Sequence, residues 1–97
     1  MAIFHPNHDE LHGYTVVIRA SDGITCIGRW DHEESGFILL NDAALHKDGD
    51  GGQSSDDFIK QSALWGVKVN TPRATLERAK VLGIEKLGDV ANRIRGW

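Results

Sequence analysis

Two places in this sequence combine side chains that could contact a nucleobase. Asp31, His32 and Glu33 follow one another, and an imidazole between carboxylates could bind a base edge or respond to pH. Trp65 is a second candidate, because an indole ring stacks on any base. Each feature also has an ordinary interpretation, which we favour: a solvated turn for His32 and packing against another subunit for Trp65. The sequence therefore offers candidate binding residues without an established motif.

A histidine-rich segment near the N-terminus could hold a metal ion. Imidazoles and carboxylates together can bind zinc or nickel, but the spacing here matches no standard zinc site. We therefore expect residues 1–12 to form a partly disordered segment, with no bound metal and no other cofactor. The residues concerned are His5, His8, Asp9, Glu10 and His12.

No arrangement typical of an enzyme accompanies these residues. Cys26 lies in a predicted strand with no adjacent cation that would activate its thiol, so we interpret it as a small buried hydrophobe. The sequence contains no glycine-rich phosphate loop, serine elbow or catalytic pair of carboxylates. We predict a protein without enzymatic activity.

Charge is unevenly distributed along the chain, whose net charge is −3. Residues 1–70 carry eleven acidic and five basic side chains, a balance of −6, whereas residues 71–97 carry three acidic and six basic ones, a balance of +3. A duplex-binding face needs clustered lysine and arginine, which this distribution does not provide. The basic tail could still touch phosphates where several copies gather, although solvated helix faces explain it as well.

We expect this protein to lie in the cytoplasm. A single cysteine, no basic leader with an apolar core and no apolar run of about 20 residues predict a cytoplasmic protein without a membrane span.

The elements that must position these residues begin with three predicted strands. Residues 13–19 and 24–30 are rich in β-branched and aromatic side chains, and Asp22-Gly23 between them predicts a hairpin with a type I′ turn, which needs positive φ at both residues. Residues 37–40 form a short apolar third strand. Gly28 is unfavourable inside a strand, so we predict a bulge or sharp bend there. Short strands that curl in this way predict a small barrel.

The middle of the chain changes character. Residues 47–57 are rich in Asp, Gly and Ser, which predicts a mobile loop. Residues 58–69 predict two further strands, with a bend near Ser62 or Ala63, that close a barrel extending over residues 13–70.

Residues 71–97 predict a helical extension. Thr71 followed by Pro72 is typical of a helix start, and Gly83 is a natural stop. A second helix follows, because apolar residues then recur at helical spacing. We expect the apolar side of this tail to dock on the barrel or on a neighbouring subunit, through Leu76, Leu87, Val90 and Ile94.

Taken together, these segments resemble the Sm and Sm-like proteins over roughly residues 11–70. The resemblance rests on Asp22-Gly23, Gly28, residues 36–43 and residues 64–67. Hydrophobic alternation with two glycines alone also fits SH3-like and OB-type barrels. The resemblance implies a mainly β protein: a strongly bent, five-stranded antiparallel Sm-like (SH3-type) barrel with a C-terminal α-helical extension.

The resemblance also implies assembly. In that family the last two strands pair with those of neighbouring subunits and close a ring, which removes exposed strand edges. We therefore expect a homo-oligomer, with an interface that includes Phe37, Leu39, Leu64, Trp65, Val67 and Val69.

The RNA-binding residues of the family are incompletely matched. Asp31 matches the aspartate of the family's RNA-binding loop, but Gly36 stands where a base-contacting asparagine is expected. Trp65 precedes Gly66, where an arginine normally precedes the glycine. The family's extra helix lies before the barrel, whereas the helix signals here follow it. Any contacts with nucleic acid are therefore expected through non-standard residues: Asp31, His32, Gly36, Trp65 and Gly66.

Two functions fit this reading. The first is a ring-forming Sm-like module that binds RNA or single-stranded nucleic acid through its pore. The alternative is an oligomeric scaffold or adaptor that has lost RNA binding and docks protein partners through its C-terminal helices.

Overall fold

The computed structural model describes residues 11–95, so the histidine-rich segment lies outside the described residues except for Leu11 and His12. Five strands and two α-helices make up the described chain, with two short 3-10 helices. In chain order these are β1 Thr15–Ala20, β2 Ile24–Glu34, β3 Phe37–Lys47, a 3-10 helix Asp50–Gly52, α1 Ser55–Trp65, β4 Thr71–Glu77, a 3-10 helix Arg78–Lys80, β5 Val81–Lys86 and α2 Leu87–Arg95.

All five strands belong to one antiparallel sheet with the order β4-β3-β2-β1-β5. The predicted five-stranded antiparallel architecture with a C-terminal helix is confirmed. Because β4 and β5 are the outer strands, each has one edge that pairs with no other strand of the described residues.

A bend in β2 and β3 curls the sheet. The pairing of these strands shifts register between Ile27 and Arg29, and Asp42 on the opposite strand has a φ of 51°. A Cβ atom added to Gly28 would lie 2.9 Å from the Cβ of Ala43, so the two strands approach too closely for any larger residue to fit unchanged. The bulge predicted at Gly28 is confirmed.

The two tight hairpins differ from each other. The predicted β1–β2 hairpin is present, but the type I′ assignment is wrong: Gly23 has positive φ and Asp22 does not, and the Gly23 amide donates to the Ala20 carbonyl. The positive φ values at both central residues occur instead in the β2–β3 turn, at Ser35 (53°) and Gly36 (83°). Before this turn, β2 continues to Glu34, four residues beyond its predicted end.

The helix α1 replaces the two strands predicted over residues 58–69, and that prediction is wrong. The hydroxyl of Ser54 accepts a hydrogen bond from the Asp57 amide and caps the helix start. Ile59 and Ser62, three residues apart, are buried on one face. Gly66, with φ of 98°, ends the helix. The helix starts at Ser55 and a 3-10 helix precedes it, so the loop predicted for residues 47–57 is also structured.

The strands β4 and β5 replace the first tail helix, and the prediction that Thr71-Pro72 begins a helix is wrong. Just before β4, the side-chain amide of Asn70 donates to the Leu45 carbonyl and its oxygen accepts from the Leu45 amide, which ties this segment to β3. Ala74 then pairs with Leu40. Proline is tolerated here because β4 is an edge strand. Gly83, the predicted helix stop, lies inside β5.

Apolar side chains form two clusters, one on each face of the sheet. Alternation along β1 separates them: Val16 and Ile18 point into the barrel, whereas Val17 points to the outer face. The interior cluster is Val16, Ile18, Cys26, Trp30, Ile38, Leu40, Ala43 and Ala74. Leu76, predicted to dock as part of a helix, packs against this interior cluster from β4.

The outer cluster lies under the two helices. Ile59 of α1 and Val90 of α2 pack with Val17 and Ile27. Leu87 and Ile94 also pack against this cluster, so the apolar side of the predicted second tail helix faces the barrel and α1. No helix among the described residues is long and apolar enough to span a membrane.

Candidate nucleic-acid interface

Two chain reversals meet at one end of the sheet. The β2–β3 turn contains Ser35 and Gly36, and the 3-10 helix Arg78–Lys80 connects β4 to β5. The Arg78 amide donates to the Gly36 carbonyl at 2.9 Å, so the backbones of the two reversals are joined. We call residues 31–36 and 78–80 together the turn surface.

Opposite charges are interspersed on the turn surface. Arg78 Nε lies 3.8 Å from Glu33 Oε2, and Lys80 Nζ lies 3.7 Å from Glu77 Oε2. The Glu33 side chain is only 13% exposed, whereas those of Arg78 and Lys80 are about half exposed. A phosphate approaching these cations would therefore compete with carboxylates of the protein.

A histidine between two carboxylates completes this end of β2. His32 Nδ1 lies 2.6 Å from Asp31 Oδ2, and its Nε2 lies 3.2 Å from Glu34 Oε1. These hydrogen bonds raise the pKa of His32, and the bond from His32 is the main cause that lowers the pKa of Asp31. Arg73 Nη2, 3.9 Å from Asp31, adds a second positive neighbour. The imidazolium is therefore favoured over neutral imidazole more strongly than in a free histidine.

Trp65 and Gly66 lie elsewhere. Both line a groove of ≈ 450 Å³ where α1 meets the far end of β3, beside Leu45 and His46. Gly36 stands at the opposite end of β3. The structure thus brings together Asp31, His32 and Gly36 but not Trp65 and Gly66, because residues 55–65 form a helix and not a strand leading into the β4–β5 turn.

The predicted interface residues fall into two groups. Phe37 and Leu39 lie in β3 near the turn surface, and Phe37 pairs with Glu77 of β4. The other four lie in α1 or after it, where Val67 packs against the outer cluster. They are Leu64, Trp65, Val67 and Val69.

Arg78 and Lys80 are the residues that sequence reasoning did not place in the site. The resemblance predicts the family's arginine at the position of Trp65, just before Gly66, and the sequence pattern predicts the bend between the last two strands near Ser62 or Ala63. The turn between the last two strands is Arg78–Lys80, so an arginine does occupy it, followed by Ala79 in place of glycine. The sequence signal for this turn is Arg78 just before the apolar pair Val81-Leu82, which begins the last strand. The interpretation of residues 71–83 as a helix obscured this signal.

Other reactive groups do not form a site. Burial raises the pKa of the Cys26 thiol to about 12, so it is not a nucleophile. No group of three or more histidine, cysteine or acidic side chains in residues 11–95 is arranged to hold a metal ion.

Comparison with solved structures identifies the architecture. The Sm protein of Pyrococcus abyssii, solved in complex with a uridine heptamer, superimposes with a TM-score of 0.55 at 16% identity, covering 80% of this chain and 89% of that chain. The chain has an Sm-like fold. A novel Sm-like archaeal protein from Pyrobaculum aerophilum gives 0.55 at 15% identity, over 86% of this chain and 50% of that one.

A third solved structure resembles this chain along nearly its whole length. It is a chain of the NatC complex bound to CoA, with a TM-score of 0.56 at 12% identity, covering 97% of this chain and 99% of that one. No protein-family model matches the sequence, and no curated protein matches it. The relationship to these proteins is therefore one of fold.

Proposed function

We propose that this chain is a ring-forming Sm-like module that binds RNA, or another single-stranded nucleic acid, weakly through its turn surface. The observation that carries the binding proposal is the backbone hydrogen bond from Arg78 to Gly36, which holds Arg78 and Lys80 beside the β2–β3 turn. The proposal includes that the chain acts by binding and has no enzymatic activity of its own. Cytoplasmic location belongs to the same proposal, supported by the single, buried Cys26 thiol.

The two outer strands of the sheet support self-assembly. Within residues 11–95, β4 and β5 each have an edge that pairs with no strand, which allows one copy to pair head to tail with the next, and repetition of that contact can close a ring. Leu82 of β5 is 72% exposed, which fits an apolar side chain at such a contact. The predicted interface residues Phe37 and Leu39 lie near the β4 side.

Light scattering on purified protein tests the assembly proposal. We expect one defined mass that is a multiple of 10.7 kDa, and a lower mass for Leu82→Asp. Leu64→Asp is the matched control, because Leu64 is an exposed leucine on α1 and lies away from both edges. A monomeric wild-type protein contradicts the ring, and a loss of assembly with Leu64→Asp alone places the interface at the helix.

Anisotropy of labelled U-rich and A-rich RNA at low salt tests binding. Arg78→Ala removes a cation at the turn surface, and we expect several-fold weaker binding and a shallower salt dependence. Glu33→Gln removes the competing carboxylate beside Arg78, so it is expected to strengthen binding. The opposite signs of these two changes distinguish a local contact from loss of fold.

Arg93→Ala is the control for net charge. Arg93 lies on α2 and pairs with Glu85 at 2.7 Å, away from the turn surface, so its removal should leave RNA binding nearly unchanged. No binding by wild-type protein at low salt, or equal losses with Arg78→Ala and Arg93→Ala, contradicts the proposal.

The scaffold alternative has one specific observation in its favour. The NatC chain, which is part of a protein complex, matches this chain over 97% of its length, whereas the P. abyssii protein matches 80% of it. The longer match is therefore with a chain that works as one component of an assembly. Under this alternative copies of the chain assemble through the sheet edges, and α2 docks other proteins. A stable ring with salt-dependent RNA binding contradicts it, whereas an oligomer that binds no RNA favours it.

A further inference from the structure

The groove between α1 and the end of β3 has the volume of a small-molecule site. Its volume of ≈ 450 Å³ lies within the range of about 300–1,000 Å³ that is common for such sites. Its lining includes Gln53 and Gln61, together with Phe58, Trp65 and Lys68. We call it the helix groove.

Three aromatic side chains, His46, Phe58 and Trp65, line part of the helix groove. Trp65, the last residue of α1, is 81% exposed, although α1 buries Ile59 and Ser62 on its other side. The His46 and Phe58 rings stack with centroids 4.7 Å apart and an angle of 16°. His46 is fixed further, because its Nε2 donates to the Gln53 carbonyl at 2.8 Å. An indole left in solvent beside a rigid aromatic pair is suited to stacking on a flat ring.

Two amide side chains supply polar groups beside these rings. Gln53 Nε2 donates to Gln61 Oε1 at 2.9 Å, which fixes the orientation of both amides. This hydrogen bond leaves the NH₂ of Gln61 and the side-chain oxygen of Gln53 for other partners. A donor and an acceptor held at fixed positions match the edges of nucleobases.

Charge distinguishes the helix groove from its neighbours. Among the described residues that line it, Lys68 is the only formally charged one, in a protein with a net charge of −3. A groove beside the β1–β2 turn includes Asp48 and Asp56, and one beside the start of α2 includes Asp89. An anionic ligand therefore meets an ammonium group and no carboxylate from the part of the chain that the structure describes.

We propose that the helix groove binds a nucleotide, with its base stacked on Trp65, its base edge at the Gln53–Gln61 amides and its phosphate at Lys68. A free mononucleotide and one residue of an RNA strand share this chemistry. The groove lies at the other end of β3 from the turn surface, so this site stands independently of the proposal for that surface.

Isothermal titration with AMP, adenosine and ribose 5-phosphate tests the site. AMP is expected to bind more tightly than either of the others, because only AMP carries both base and phosphate. Trp65→Ala should weaken AMP binding by about tenfold or more, and Trp65→Phe should retain most of the affinity. Lys68→Gln should reduce the affinity for AMP to that for adenosine.

Leu64→Ala is the matched control, since Leu64 is the exposed neighbour of Trp65 and does not line the groove. Arg78→Ala should leave AMP binding unchanged, which separates this site from the turn surface. A titration with pentaadenylate identifies the source: at least tenfold tighter binding than AMP, lost in Trp65→Ala, indicates a strand, and equal affinity indicates a free nucleotide.

Three outcomes overturn the proposal. The first is no binding of AMP at millimolar concentration together with pentaadenylate binding that Trp65→Ala leaves unchanged. The second is an equal loss in Leu64→Ala and Trp65→Ala. The third is a fall in assembly mass for Trp65→Ala with its thermal midpoint preserved, which would make the indole a contact between copies of this chain.

Discussion

The two ends of β3 present different chemistry on the same strand. At the Phe37 end, the turn surface contains Glu33, Arg78 and Lys80 in paired charges, and its backbones are joined by a long-range hydrogen bond. At the Lys47 end, the described lining of the helix groove contains aromatic rings and amides and no carboxylate. The β2–β3 irregularity that contains Gly28 on one strand and Asp42 on the other lies between them.

This difference separates two ways of building a binding surface. The turn surface depends on strand register, because residues 36 and 78 meet only when β3 pairs correctly with β4. The helix groove depends on local signals, namely a cap at Ser54 and a stop at Gly66. Substitutions in the bend shared by β2 and β3 should disturb both surfaces. Substitutions at Ser54 or Gly66 should disturb only the helix groove.

The largest effect is expected at the shared bend. Gly28→Ala would place a methyl group 2.9 Å from the Ala43 Cβ and 3.2 Å from the Asn41 carbonyl oxygen. We expect the free energy of unfolding to fall by about 1–3 kcal/mol, as for other overpacked sites. Urea denaturation monitored by circular dichroism measures it.

Gly88→Ala is the control for that change. Gly88 lies in α2, has no atom within 4 Å of an added Cβ and does not have positive φ. Alanine should therefore stabilise the helix by roughly 0.5–1 kcal/mol. Changes of the same sign at both glycines would contradict the close approach at Gly28.

A smaller effect is expected at the end of α1. Gly66 has φ of 98° and ψ of 160°, a conformation that residues with a Cβ rarely adopt. Gly66→Ala should cost about 1–2 kcal/mol, although an added Cβ meets no atom within 4 Å. Gly83→Ala also meets open space without positive φ, so it should cost less than about 0.5 kcal/mol. Equal thermal shifts would count against conformational strain at Gly66.

The start of α1 should show an effect of about 1 kcal/mol. Ser54→Ala removes the hydroxyl that accepts from the Asp57 amide, 3.1 Å away. Ser55→Ala changes the adjacent serine, whose hydroxyl makes no hydrogen bond to a described residue, and should change stability by less than about 0.5 kcal/mol. Loss of the cap should also weaken AMP binding in the helix groove and leave RNA binding at the turn surface unchanged. Chemical denaturation of both variants tests this, and similar losses would mean that the cap is not the cause.

The first half of the fold could be predicted because its signals are local. β-Branched residues flank Asp22-Gly23, and Gly28 interrupts a strand, so the first hairpin and the bulge follow from short stretches of sequence. The exact turn type did not follow, because the register between Arg19 and Thr25 determines which residues carry positive φ. Resemblance to Sm-like proteins then supplied the correct strand number.

The second half could not be predicted in the same way. Ser54 and Asp57 form a capping pattern, and the spacing of Phe58, Ile59 and Ser62 is helical, but apolar residues from 58 to 69 also satisfy a strand pattern. Conversely, Thr71-Pro72 satisfies a helix-start pattern, and the decisive contacts of this segment are long-range ones with β3. Because residues 58–69 were predicted as strands and residues 71–83 as a helix, the turn between the last two strands was predicted too early in the chain. Arg78 was therefore not predicted to lie in that turn.

The smallest effect is expected from His32, and it concerns pH. Its folded pKa is raised, so its stabilising contribution is fully present below about pH 6.5 and is lost as pH rises through the folded pKa. The folded pKa of Asp31 is lowered, so its contribution is present above about pH 3.8 and is lost as pH falls through that folded pKa.

Both groups lie at the exposed turn surface, so the thermal midpoint should decline only slightly above neutral pH. His32→Gln should flatten that decline between pH 6 and 8, and His46→Gln, which removes a histidine of the helix groove that bonds the Gln53 carbonyl, is the matched control. Thermal scans across this range measure the slope, and NMR titration of His32 measures its pKa directly. A pKa below that of a free histidine would show that the two carboxylates do not hold the proton, and the charge contrast between the two ends of β3 would be smaller than the geometry indicates.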